Sequence, residues 1–235
     1  MRKGKTYPAS PVEALALAIE VYNKQGFIRS GEGYSEIDSE TGDVKVVKQD
    51  NKTNVIEMIT QGAKPNEDNL SEAKEIMDKF NGRYMLKKLT GSLSNFEESV
   101  SQAFAVTDSS LSPFMVAVIA SIPHMNEVDK KRKLVEDKIE ALRFDSEFFG
   151  DKGKRYDIQV EVIDVKFIQS SGVFMVTTVH NSKDIIKFWW RDQPDISDII
   201  DGKTISIRGT VNKHEKSKYT NANETMLNRV KINAG

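Results

Sequence analysis

Both tryptophans of the chain sit side by side in the run Ile185-Ile186-Lys187-Phe188-Trp189-Trp190-Arg191. Aromatic rings between cations can stack on nucleic-acid bases while the cations attract phosphates. In an extended strand, alternation puts Phe188 and Trp190 on one face and Lys187, Trp189 and Arg191 on the other. One face must enter a core. The other then presents an aromatic between two positive charges. A competing assignment buries all three aromatics, but the flanking cations favour an exposed Trp189.

Further cations follow. Between Lys203 and Lys231 there are seven basic residues and two acidic ones. A strand carrying Arg208 is expected to end at Val211 and to lead into a basic loop with Lys213, His214, Lys216, Lys218 and Tyr219. A last strand, Thr225 to Ile232, places Met226, Asn228, Val230 and Ile232 on one face. Thr225, Leu227, Arg229 and Lys231 fall on the other. The net charge of −1 hides an asymmetry: about +3 over residues 151–235 and about −4 over 1–150. A locally basic segment in a near-neutral chain suits a module that meets phosphates on one surface.

Other chemistries find little support. Without cysteine there is no disulfide, thiolate metal site or cysteine nucleophile. His124, His180 and His214 are far apart in sequence. There is no phosphate-cradling Gly-x-x-x-x-Gly-Lys loop, no dinucleotide fingerprint and no Gly-x-Ser-x-Gly elbow; Gly31 and Gly33 read as a flexible turn. Asp192, Asp195, Asp198 and Asp201 around Pro194 read as a solvated acidic turn. The expectation is a protein that is not an enzyme and needs no cofactor or metal.

The elements that must carry these residues divide the chain. Ser10-Pro11 caps a helix to Tyr22, with Gly26 past its end. Ser39 to Asp43 reads equally as the tip of a hairpin near 34–48 or as a mobile loop, and Asn54 to Gly62 is a short helix. Ser71 caps a helix to Phe80 that Asn81-Gly82 should stop, and Tyr84 to Leu89 forms a second short helix. Ser94 opens another, through Phe96, Val100 and Phe104. Phe114 to Ile122 fits a buried helix or a buried strand, and it is too short to span a bilayer. Asn126 to Leu142 is charged, with apolar residues at helical spacing.

Near Phe144 the texture changes to short alternating strands: one from Tyr156, then Val173 to Val179, Asp184 to Trp190, Lys203 to Val211 and Thr225 to Ile232. Five such strands with turns between them suggest a barrel. The expected class is α+β: a mostly helical region over 1–143, then a five-stranded OB-type β-barrel over 144–235. With no secretion signal at the N-terminus, the expected location is the cytoplasm, or the host cytoplasm if a phage encodes the chain.

The run Gly209-Thr-Val-Asn-Lys213-His214, followed by Tyr219 and by Glu224-Thr-Met-Leu-Asn-Arg-Val-Lys231, resembles the C-terminal end of OB-fold modules in bacteriophage replication proteins. Asp145 to Gly153 resembles the lead-in to such a barrel, and Val118 to Pro123 its companion region. Asn212 stands where that pattern often has Lys. The resemblance, confined to the C-terminal half, implies single-stranded DNA binding in replication or recombination without strong sequence preference. RNA is the alternative strand. A second reading makes the barrel an adaptor that docks a replication or recombination protein, with no membrane involved.

Overall fold

The computed structural model describes residues 5–37, 44–191, 202–218 and 220–233. The chain forms two compact units, Met1–Asp129 and Lys130–Gly235.

The first unit is built around α1 (Pro11–Gln25). Ser10 and Glu13 form a reciprocal capping box, Pro11 opens the helix, and Gly26 ends it with φ 75°. Ala14 to Ile19 are all buried, so this middle stretch of the helix is apolar on every side and lies inside the unit. Strand β1 (Tyr7–Pro8) pairs with β4 (Ser110–Leu111), and β2 (Tyr34–Ile37) pairs antiparallel with β3 (Val44–Lys48). The expected hairpin is therefore present, with its tip outside the described residues. Helix α2 (Asn51–Thr60) is tied to the end of α1 by the buried Asn51. Its amide donates to the Gly26 carbonyl, and its oxygen accepts from the Ile28 N–H.

Two expected breaks are absent. Helix α3 (Glu67–Leu89) is capped by Asn66 rather than Ser71 and runs straight through Asn81-Gly82. Ala73, Ile76, Phe80 and Tyr84 keep one buried stripe across that point. Burying Tyr84 on the stripe outweighs the roughly 1 kcal/mol that a mid-helix glycine costs. Helix α4 (Asn95–Phe104) starts at the Ser94 capping box as expected. Helix α5 (Pro113–Ala141) then joins the Phe114 segment and the charged segment into one helix through Pro123. The ambiguous apolar run is thus a buried helix. The division into units falls inside α5, ahead of the change in texture at Phe144.

The second unit holds five strands: β5 (Arg155–Ile168), β6 (Val173–His180), β7 (Asp184–Trp190), β8 (Thr204–Lys216) and β9 (Asn223–Asn233). They close in the order β5-β6-β7-β9-β8, with β8 returning to β5 and β7 parallel to β9. The architecture is α+β with an OB-like barrel. Following partners from Val165 through Val176, Phe188, Leu227 and Val211 leads to Lys154, not back to Val165. That stagger is what tilted barrel strands require. The interior is filled by Val160, Val162, Val176, Ile186, Phe188, Trp190, Ile205, Ile207, Val211 and Leu227.

Candidate nucleic-acid interface

Strand β7 follows the alternation read from its sequence. Phe188 is fully buried and Trp190 is 8% exposed, both inside the barrel, whereas Trp189 is 47% exposed on the outer wall. A large aromatic left half in water is unusual for a residue that could bury 150–250 Å². Its cross-strand partner is Met175, which in turn faces Lys166 on β5. On the other side, one step beyond the Phe188–Leu227 pair, stands the exposed Asn228.

Lys187 shares the outer face but is not available in the same way. Its ammonium lies 2.8 Å from a carboxylate oxygen of Glu224, whose side chain is only 6% exposed. That pair neutralises both charges in a half-buried position. Arg191 is exposed and carries no ion pair among the described residues.

Among the described residues, the outer wall around β7 is covered towards one end. Towards the start of β7, Ile185, Thr177, Val179 and Met226 are buried although they face outwards. Here the lead-in segment crosses the parallel seam of β7 and β9. The Ser146 hydroxyl donates to the Asn223 carbonyl and accepts from the Ile185 N–H, while the Asn223 amide donates to the Ser146 carbonyl. The Phe149 N–H donates to the Thr225 hydroxyl.

The residues between Val211 and Tyr219 differ from expectation. Strand β8 does not stop at Val211 but pairs with β9 as far as Lys216–Asn223. Lys213, His214 and Lys216 are therefore strand residues, and the expected basic loop does not form over them. Cross-strand bonding to Asn223–Met226 extends the ladder past the point where the apolar alternation ends. The Lys213 ammonium is 2.7 Å from Glu215. His214 Nε2 lies 3.1 Å from the Phe149 carbonyl and must donate to it, and its ring stacks on Phe148 at 4.9 Å. His214 thus fastens the lead-in segment. Asp151 lies near it, kept below the usual carboxylate range chiefly by a hydrogen bond from Lys154. Lys216 and Lys218 are exposed, and Tyr219 lies outside the described residues, as do Asp192, Asp195, Asp198 and Asp201. The Ile185–Glu224 pair sets this hairpin at the start of β7. Trp189 is four residues further on, about 13 Å at the rise of a strand.

The faces of β9 also differ from simple alternation. Leu227 is 1% exposed and lies inside with Val230 and Ile232, while Lys231 points out. A bulge causes the change: Arg208 pairs with Lys231 and Thr210 with Asn228, so Arg229 and Val230 together oppose Gly209. Arg229 takes φ 51°, a left-handed conformation costly for a residue with a Cβ. Gly209 has its own reason to be glycine, since a Cβ there would stand 2.9 Å from Leu227 Cδ1 and 3.1 Å from Val230 Cγ2. Arg208, exposed, lies 3.6 Å from Asp157.

No known protein family, curated protein or solved structure matches the chain. The likeness to phage replication modules rests on the quoted motif residues alone.

The nominated residues therefore fall into two groups. Trp189, Arg191, Arg208, Arg229 and Lys231 lie on the outer wall towards the end of β7 or on the neighbouring β9 and β8. Lys187, Lys213, His214, Lys216 and Lys218 lie towards the hairpin, three of them committed to other contacts. Lys166, Met175, Asn228 and Arg155 were missed. Only cross-strand register places them near Trp189, and the alternation within one strand does not report register. Among the described residues there is no group of three or more His, Asp or Glu placed to hold a metal, and no helix long and apolar enough to cross a membrane.

Proposed function

We propose that the barrel binds single-stranded nucleic acid, DNA in the first instance, through base stacking on Trp189 and phosphate contacts from nearby cations. The observation that carries the reading is the half-exposed Trp189 on the outer wall, beside Trp190 buried in the core. Burying the second ring and exposing the first leaves a flat apolar surface with Met175 on one side and Asn228 on the other. Stacking is tolerant of base identity because every base has a π-face. The reading thus favours contact without sequence preference, in DNA replication or recombination. The phage setting, the host cytoplasm and the protein partner belong to the same proposal and rest on the motif resemblance.

Fluorescence anisotropy of labelled oligo(dT) against a duplex of equal length tests it. Binding to the single strand that weakens steeply with salt is the expected result. Equal affinity for duplex, or a flat salt response, would remove the reading.

A second reading, a docking protein for a replication or recombination partner, has one observation in its favour. Met85, Leu86 and Leu89 on α3 are each more than two-thirds exposed. Failure of the barrel to bind any oligonucleotide would move the weight to that reading.

A further inference from the structure

Arg229 departs from what its sequence neighbours would do in a regular strand. The bulge opposite Gly209 gives it a left-handed backbone with φ 51°, although it carries a Cβ. Glycine would occupy that conformation without the steric penalty. The residue is exposed, and its guanidinium has no ion-pair partner among the described residues. A guanidinium nitrogen of Arg155 lies 3.5 Å from the Arg229 backbone carbonyl, which brings a second cation to this part of β9. Asn228, the neighbour of Arg229 in the chain, stands one step beyond the Phe188–Leu227 pair of the parallel seam, as Trp189 does on β7. Bulges re-aim side chains, and retained backbone strain points to a requirement other than stability.

Resting on the nucleic-acid reading above, we propose that the Arg229 bulge is a phosphate-contact device. A base stacks on Trp189 and the strand's phosphodiester backbone passes over β9 at Arg229, with Arg155 beside it. The contact crosses the strands at the Trp189 end of the wall. It does not run along β7 to the hairpin, where Lys187 is neutralised by Glu224 and Lys213 is paired with Glu215. Glycine at 229 would suit the backbone better, and what arginine adds there is its charge.

Two substitutions separate the charge from the strain. Arg229→Gly relieves the left-handed backbone, and Arg229→Gln keeps it. Both should weaken oligo(dT) binding about fourfold at 0.15 M salt and reduce the slope of log K against log salt by about 0.7, the value of one single-strand phosphate contact. Arg229→Gly should raise Tm, and Arg229→Gln should leave it near that of the parent. The double variant Lys213→Gln/Lys216→Gln should leave the slope unchanged. Should both Arg229 variants bind like the parent while Trp189→Ala binds weakly, the device is wrong and the stacking site stands. A slope that falls with the Lys213/Lys216 variant instead would put the backbone path along the hairpin and overturn the proposal. If neither Trp189→Ala nor the Arg229 variants change binding, the strand lies elsewhere on the protein and both the device and the stacking site at Trp189 are wrong.

Discussion

Trp189 and Trp190 are adjacent in sequence and opposite in role, and substituting each in turn separates binding from folding. Trp189→Ala removes a ring that is 47% exposed and leaves the barrel interior intact. Stacking on one aromatic is worth roughly 1–3 kcal/mol per base. Affinity for oligo(dT) should therefore fall about 5- to 150-fold, with little change in Tm because Phe188, Ile186 and Leu227 keep their packing. Trp190→Ala removes a core ring that is 8% exposed. Aromatic-to-alanine changes in a core cost about 3–5 kcal/mol, so this variant should lose much of the barrel's stability. Anisotropy titrations and thermal denaturation of both variants supply the comparison. A Trp189→Ala protein that binds normally but melts early would show that the outer ring serves packing, and the stacking argument would be refuted.

Other perturbations have equally definite outcomes. Gly82→Ala should raise the Tm of the helical unit by an amount matching up to about 1 kcal/mol, because α3 is continuous there and an added Cβ meets nothing within 4 Å. Two separate helices would show no gain. Gly209→Ala should destabilise the barrel by about 1–3 kcal/mol through its clash with Leu227 and Val230, seen as a lower denaturation midpoint. Glu97 has its pKa lowered to about 2, first by the hydrogen bond from Lys87 and then by the Ser94 backbone. Its folded pKa lies below the unfolded value, so its contribution is present above about pH 4.5 and is lost as pH falls towards 2. Acid titration of the Glu97→Gln protein should show a shallower loss of stability across that window than the parent. Glu224→Gln should raise the charge available at Lys187 and steepen the salt dependence of binding if the strand reaches that far. With the strand crossing at the Trp189 end of the wall, no change is expected.

Much of the architecture is legible in the sequence because burial patterns are local. The alternation in Lys187 to Trp190 and the capping boxes at Ser10 and Ser94 each depend on a few neighbouring residues. The misread features depend on distant partners. Asn81-Gly82 looks like a stop until the stripe from Phe80 to Tyr84 is seen to continue. Lys213 to Lys216 look like a loop until Asn223 to Met226 pair with them. The Arg229 bulge is set by Gly209 on another strand, so counting alternate residues puts Leu227 on the wrong face. The candidate site was legible as a composition, aromatic with cations. The grouping of those cations was not, because ion pairs such as Lys187 with Glu224 join residues 37 apart.

The most direct test uses the protein's own fluorescence. Trp190→Phe conserves an aromatic core residue and leaves Trp189 as the only tryptophan. Titration of this variant with oligo(dT) should quench its emission saturably, with the midpoint tracking the anisotropy Kd, and added salt should reverse both together. Binding by anisotropy with an unaltered Trp189 emission spectrum would contradict stacking at that ring.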